Sequence, residues 1–596
     1  MKTIAIDIET NGVNLDGGII WMLSITRGNT TELIHDCEGI KKLRPDIQKE
    51  LCSPTVRKIV HSGVFDLPFI EKIFGCKIHN VWDSEVNEVV IRGARVSFKK
   101  KNLEPYQIKL LERFSSKLEY TIPRYGYPIH DKSVVENFID RPRGKKFSSI
   151  EINYAKSDTK FLPSIQIEQE KIIRAENLTA VSDLENKTTE RLADMRVRGI
   201  GVDKKMWRQI ANENEKEFER RMKILPKGIN WNSPKQVKEF FLSKKLILNS
   251  FADMYDLYLN TKNKFLGNFI YARELHKAVT SYGNNWFDEG IICNDSRIRS
   301  FITQCINTGR MSYSHPNLQQ LPGEESKMPK KRRVIEMIAG SNFHWKHREA
   351  FRPSVGSIFV SGDFSGQEMG IMAAASNETW WLDAMMKGHD LHGMTAAMLD
   401  PNAWAIGKLK DCAWPFKCQC PAHKYLREPA KINNFMLAYG GGAARLADSI
   451  GVDILPIDEA KALVLKHKKL IPRLNKYLED NGRAALRSGI SFSADPYRRR
   501  RILRGEEDWQ VKNQGKNNPI QSAGANMLKR ALIQLPDSLP VVLVIHDQII
   551  LEVPKREGPK AQKILKATME EAANYITGIK GLIRVAPTLQ MNIAKT

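Results

Sequence analysis

Long apolar runs are missing from this 596-residue sequence. None approaches the ~18 residues a membrane-spanning helix needs. The greasiest stretch, Leu539–Val553, is interrupted by Pro540, His546, Asp547 and Gln548. Asp7 and Glu9 stand where a secretory leader needs an apolar core, so a cytoplasmic protein is expected. Cysteine is scarce: eight residues do not make a disulfide framework in a chain this long, and a cytosol would keep them reduced. No internal repeat of roughly 20–50 residues and no low-complexity tract is present, which excludes solenoids and arrays. Acidic residues fall short of basic ones, 68 against 92, leaving a net charge of +24. That imbalance favours a polyanionic partner, with nucleic acid first. The 42% hydrophobic and 27% charged residues are an ordinary globular mixture and exclude a disordered or collagenous chain. At roughly 150 residues per domain, about four modules are expected.

The first ~175 residues read as α/β by the alternation of β-branched and helical stretches. Lys2–Ile8 is a predicted strand with Ile19–Thr26 as its hairpin partner, and a helical stretch covers Asn153–Ala175. Asp7 and Glu9 are two apart on that strand and share a face. Two carboxylates at one sheet edge repel unless a cation lies between them, and oxygen-only ligands suit Mg²⁺ or Mn²⁺. Asp-x-Glu alone is a weak signal. Asp66, in His61-Ser-Gly-Val-Phe-Asp, falls at a strand-to-helix junction. Tyr154 and Asp158 lie one helical turn apart on one face. Four carboxylates in this order can hold two cations, one activating water and one offsetting the leaving oxyanion, while the tyrosine orients the water. The bland alternative is an inactive relic of such a fold.

From Asn177 to about Lys277 the pattern is helical and charged, with Asn232-Ser233-Pro234 as a helix start. Beyond Phe301, predicted strands at Ser357–Gly362, Val541–Ile545 and Ile549–Val553 deliver Asp363 and the turn pair His546–Asp547. Between them, Arg427, Lys431, Phe435 and Tyr439 recur every four residues and draw one drifting stripe on a helix. Two cations followed by two aromatics suit a triphosphate at one end and a stacked base at the other. A mixed amphipathic face is the alternative. The basic runs Lys330–Arg333 and Arg498–Arg501 are either solvated faces or phosphate contacts. Cys412, Cys418, Cys420 and His423 make a full tetrahedral zinc set, although the spacing is not that of a standard finger. A chance cluster of reduced thiols is its alternative.

The first three motifs together resemble the DEDDy family of 3′→5′ exonucleases over residues 1–175, with Ser62 where that family usually has Asn. The whole chain resembles family A DNA polymerases, the DNA polymerase I class, in a compact bacteriophage-like form. The resemblance rests on Thr308–Pro322, on Asp363–Glu368, Arg427–Gly440 and His546–Gln548 as motifs A, B and C, and on Asn517–Ser522. It extends to Arg198–Asp203 and Asn232–Gln236. It implies an α/β, RNase H-like exonuclease domain followed by an α+β right-hand polymerase. The expected bounds are exonuclease 1–180, thumb 181–300, palm 301–385 and 515–596, and fingers 386–514, with no 5′-nuclease domain ahead of residue 1.

By that resemblance, Asp363 and Asp547 bind two Mg²⁺ in the palm, and Asp7, Glu9, Asp66 and Asp158 bind two Mg²⁺ or Mn²⁺ beside Tyr154. Arg427 and Lys431 hold the triphosphate, Lys431 as general acid. Phe435 and Tyr439 pack near the nascent pair, and Glu368 gates against a ribose 2′-hydroxyl. Arg310, Asn517, Gln521 and His546 read the minor groove or the primer end. The expected partners are primer–template DNA and deoxynucleoside triphosphates; a replisome or processivity protein stays open, and the chain is expected to be a monomer replicating a phage genome. Gln548 replaces the Glu that usually ends motif C, which puts metal or primer-end contacts in doubt. Gly366 and Gly370 stand where the family often has Gln and Arg, which is expected to loosen the wall behind the nucleotide and leaves base or sugar preference open. The rival readings are a nuclease with an inactive polymerase region, a non-enzymatic nucleic-acid scaffold, and a single-subunit RNA polymerase, the last disfavoured by Glu368.

Overall fold

The structure, a computed structural model, describes residues 2–40, 44–94, 104–128, 133–248, 250–251, 253–321, 329–339, 346–438, 440–451, 455–503 and 507–594. The N-terminal part is built on a five-stranded sheet: β1 (Thr3–Thr10), β2 (Ile20–Arg27), β3 (Thr30–His35), β4 (Arg57–Val60) and β5 (Val81–Asp83), in the order β3-β2-β1-β4-β5. β1 runs antiparallel to β2, with Asp7 opposite Ser24 and Glu9 opposite Met22, and parallel to β4. β1 is central, so its Ile4, Ile6 and Ile8 are buried, each contributing about 1.5–3 kcal/mol relative to exposure. Helix α1 (Gly63–Phe74) follows β4 directly. The helical stretch near Asn153 divides in two: α2 (Ser149–Lys160), closed at its start by a Ser148–Glu151 capping box, and a second helix, Leu162–Ala175. Pro163 explains the division, because a proline fits the first turn of a helix and not its interior.

Helix α3 (Thr179–Arg198) joins the two halves. It packs against α1 on one side and against the palm helix and strand described below on the other. Glu185 is fully buried in it and accepts from Lys529 Nζ at 2.7 and 2.8 Å, from Arg499, and from Gln304 Nε2 at 2.7 Å. Burial alone would push Glu185 up, but Lys529 and Arg499 outweigh it and hold the carboxyl below its usual range.

The C-terminal half contains β6 (Ser357–Asp363), α4 (Gln367–Ser376), α5 (Pro421–Ala438), α6 (Asp508–Gln534), β7 (Val541–Ile545), β8 (Gln548–Pro554) and β9 (Thr588–Gln590). The strands form an antiparallel sheet in the order β7-β8-β6-β9. Helix Gly558–Thr577 packs on β6, α6 packs on that helix, and α3 packs on α6 and β7. Ser233 caps helix Pro234–Ser243 by accepting from Gln236 N, as its sequence signature predicts. Among the described residues no helix is long and apolar enough to cross a membrane.

One expectation is corrected and one is narrowed. Cys52 and Cys76 form a disulfide that ties the end of helix Pro45–Cys52 to the segment after α1, so the cysteines are not all thiols. In the run Arg498–Arg501 two of the four cations are consumed internally, while Arg498 is exposed and Arg501 lines a cleft. Arg499 is buried on Glu185 and Asn526, and Arg500 pairs with Glu176 at 2.6 Å. Lys331 likewise pairs with Glu274 at 2.6 Å.

Candidate active sites and a cysteine cluster

The exonuclease carboxylates come together at the edge where β1, α1 and α2 meet. Ligand oxygens of Asp7, Glu9 and Asp158 lie within 4.8 Å of one another. Asp66 stands beside them in the first turn of α1, buried, with Oδ2 lacking a hydrogen-bond partner among the described residues. Burial pushes its pKa up first, and the charges of Asp7, Asp83, Glu9 and Asp158 push it further. An oxygen-only cluster with an orphaned buried carboxylate oxygen fits a hard divalent cation. Burial and the neighbouring Asp158 also push the Tyr154 phenol well above its usual range, so it stays a hydrogen-bond donor.

Two supporting residues were not legible in the sequence. Asp83 caps helix Ser84–Arg92, accepting from Glu85 N and Val86 N, and also accepts from Ser62 N at 3.1 Å and Gly63 N at 2.7 Å. It thereby fixes the turn that delivers Asp66. Ser62 itself is left-handed, at φ +73°. Burial pushes Asp83 up to about 7. Arg196, on α3, is buried behind Asp66 and donates to Val64 O at 3.0 Å and Val13 O at 2.7 Å. Burial lowers it to about 10, against the pull of Asp66. Its spacing from the motifs carries no local signal.

In the palm, Asp363 ends β6 opposite Gln548, the first residue of β8, and Asp547 sits in the turn just before it, with its carboxyl within hydrogen-bonding reach of Asp363. Asp547 is pushed up to about 7, first by burial and then by the Asp363 charge. Two facing carboxylates call for a cation. His546 makes the turn in the left-handed region, at φ +55°. Gln548 Nε2 donates to Ser361 Oγ at 2.6 Å, so the amide that replaces the family's Glu is tied to β6. Gly366 caps α4 at φ +64°, a conformation that suits glycine. A Cβ on Gly370 would lie 2.4 Å from Ile583 Cγ1. The expectation of a loosened wall therefore fails at Gly370, where Ile583 fills the space.

Arg310 donates to Glu368, joining a predicted minor-groove reader to the predicted sugar gate. Arg310, Asn517 and Gln521 line one cleft of about 430 Å³ together with Thr308, Arg501 and Asn513. Asn513 was missed, although 513, 517 and 521 repeat every four residues on α6. On α5, Arg427 is held by Asp390 through two bonds, Nε–Oδ2 2.7 Å and Nη2–Oδ1 2.9 Å. Burial alone would raise Asp390, but Arg427 outweighs it and holds it low. Lys431 is half-buried one turn on. Phe435 packs on the His392 ring at 5.5 Å, and Tyr439 lies outside the described residues. Behind the helix, Asn434 Nδ2 donates to His392 Nδ1 at 3.0 Å and Asn434 Oδ1 accepts from His467. Burial lowers His392 to about 3 and His467 to about 4, so both are neutral.

Cys412, Cys418, Cys420 and His423 converge, with all four ligand atoms within 4.8 Å of one another, and none of these cysteines is in a disulfide.

Two sets of convergent carboxylates, one on an RNase H-like α/β sheet and one on an antiparallel palm sheet, define a right-hand polymerase joined to an exonuclease fold. Residues 203–585 match the family described as DNA polymerase family A, and residues 1–174 match one described as 3′-5′ exonuclease. The chain belongs to DNA polymerase family A. It is 26% identical over 424 residues to DNA polymerase I of Lactococcus lactis, covering 67% of this chain and 44% of that protein. It is 26% identical over 433 residues to DNA polymerase I of Streptococcus pneumoniae, covering 68% and 45%. The chain thus spans under half the length of these relatives. The fold is similar to the POL domain of Pol1 from M. smegmatis, solved in complex with DNA primer-template and dNTP. The TM-score is 0.75 at 20% identity, over 99% of this chain and 95% of that one.

Proposed function

We propose that the chain is a template-directed DNA polymerase that proofreads with its own 3′→5′ exonuclease. The observation that carries this reading is the presence of two separate carboxylate sites in one chain, each arranged to need a cation. The proposed bounds are exonuclease 1–180, thumb 181–300, palm 301–385 and 515–596, and fingers 386–514, with α3 as the joint.

Asp363 and Asp547 would hold Mg²⁺ in the palm, and Asp7, Glu9, Asp66 and Asp158 would hold Mg²⁺ or Mn²⁺ in the exonuclease. When bound, such ions would lower the pKa of the attacking hydroxyl or water and offset charge on the phosphate. Arg427 and Lys431 bind the incoming triphosphate, and Lys431 gives its proton to the departing pyrophosphate. Phe435 and Tyr439 pack against the nascent pair. Glu368, held by Arg310, rejects a 2′-hydroxyl. Asn517, Gln521 and His546 contact the primer end or the minor groove. Gln548 braces β6 through Ser361 instead of adding charge. In the exonuclease, Tyr154 orients the attacking water by donating to it. The net charge of +24 supports duplex binding that weakens steeply with salt. The cysteine cluster would hold a structural Zn²⁺.

The test is extension and shortening of a 5′-labelled primer–template in Mg²⁺, with and without dNTPs. Asp363→Ala should abolish extension alone and Asp7→Ala should abolish shortening alone. Shortening with no extension under any dNTP condition would leave a nuclease with an inactive polymerase region.

A further inference from the structure

Residues 407–420 form a loop with no regular secondary structure between helix Pro401–Ile406 and α5. A structureless loop of this length is uncommon inside a folded unit, and a bound metal is one way to order it. Cys412 midway along it, Cys418 and Cys420 at its end, and His423 in the first turn of α5 make up the cysteine cluster. Cys418 and Cys420 are 8% and 2% exposed, and His423 is 1% exposed. His423 Nε2 lies 2.8 Å from the Trp404 carbonyl oxygen. A carbonyl can only accept, so Nε2 carries the proton and Nδ1 presents a lone pair. Nδ1 faces Cys418 Sγ at 3.1 Å and Cys412 Sγ at 3.6 Å. Tetrahedral Zn²⁺ with bonds of about 2.3 Å to sulfur and about 2.0 Å to nitrogen sets these ligand–ligand edges at roughly 3.6 Å. The Trp404 ring stacks on His423 at 3.8 Å and 4°, locking the imidazole plane. A ligand whose far nitrogen is tied to a carbonyl and whose ring is clamped matches the outer-shell support of bound zinc.

The same loop holds the nucleotide helix from a second side. The Pro415 carbonyl accepts from Asp390 N at 2.9 Å, and Phe416 packs edge-on against His389 at 5.4 Å. Asp390 in turn grips Arg427 through two bonds. Arg427 lies one turn after His423 on α5. The cluster thus anchors the start of α5 directly through His423, and it anchors the Arg427 guanidinium through the loop and Asp390.

We propose that Zn²⁺ bound by Cys412, Cys418, Cys420 and His423 is a positioning device for the incoming nucleotide. It sets the Asp390–Arg427 pair, and hence triphosphate affinity, without touching the reacting atoms. This rests on the zinc and polymerase readings above. Cys412 to Cys420 are structural ligands and Asp390 is a positioning residue.

The experiment uses the full chain. Metal content is measured by plasma emission. The absorption of the Co²⁺-substituted protein reports tetrahedral thiolate ligation. KM and kcat for dNTPs are measured before zinc removal, after removal with Mg²⁺ restored, and after zinc is returned. The variants are Cys418→Ser and Asp390→Asn, and the exonuclease rate of each sample reports that the chain is folded.

The expected result is one zinc per chain and tetrahedral Co²⁺–thiolate bands. Zinc removal or Cys418→Ser should raise the dNTP KM about ten-fold, with kcat within about two-fold and shortening unchanged. Asp390→Asn should raise KM similarly while keeping its zinc. A chain without zinc, and with Cys418→Ser kinetically silent, overturns the zinc reading and the inference with it. Zinc present, but KM indifferent to its removal and to Asp390→Asn, overturns the positioning role alone.

Discussion

The two carboxylate sites solve the same electrostatic problem with different scaffolds. In the exonuclease, three elements bring their carboxylates to one edge, and a buried Asp83 and a buried Arg196 brace the fourth from behind. In the palm, Asp363 ends β6 and Asp547 sits in the turn between β7 and β8, which brings its carboxyl beside that of Asp363. The exonuclease site therefore leans on residues outside its ligand set, whereas the palm site depends on the β7–β8 turn beside the end of β6. Gln548, the residue after that turn, donates to Ser361 and ties β8 to β6.

The largest effect expected to sharpen this comparison is Asp547→Asn. Extension should fall on the order of 10³-fold with shortening intact, measured on the same labelled primer. The same variant should stabilise the metal-free protein. Asp547 sits at about 7 when folded, above its unfolded value near 3.8, so the folded state binds the extra proton between those values. Wild-type stability should therefore fall as pH rises from about 4 to 7. Asp547→Asn should be more stable than wild type at pH 8, by roughly 1–3 kcal/mol of unfolding free energy and with a correspondingly higher melting temperature, the gap closing near pH 4. Equal melting at both pH values would mean the two aspartates do not repel.

Next in size is Asp83→Ala. It removes a helix cap and the acceptor for the Ser62 and Gly63 amides, costing roughly 1–3 kcal/mol in denaturant unfolding. Shortening should fall at least about ten-fold while extension stays near wild type. Loss of both activities together would break the claim that the exonuclease depends on its own local support. Smallest is Gln548→Glu. A carboxylate opposite Asp363 should lower the Mg²⁺ concentration for half-maximal extension by about two- to five-fold, as read from a Mg²⁺ titration. No change would place residue 548 outside the metal's reach.

The two regions also differ in how far the sequence revealed them. The strands bearing Asp7 and Asp363 are legible because their β-branched runs are local signals. The helical one-turn spacing of Tyr154 and Asp158, and of Arg427 and Lys431, is equally local. Arg310–Glu368, Asp390–Arg427 and the burial of Arg499 were not legible, since each joins segments dozens to hundreds of residues apart.

The sequence by itself determined which side chains could do chemistry, because strand and helix periods are properties of the backbone and place residues two or four apart on one face. It likewise determined that Cys412, Cys418, Cys420 and His423 could meet. Only the tertiary structure decided which charges would be consumed internally. Arg499 went to Glu185, and Cys52 to Cys76. Only it decided that His423 would present Nδ1, through a carbonyl nineteen residues away. Such pairings depend on which surfaces pack together, and the partner's position is set by the whole core, not by the neighbours along the chain.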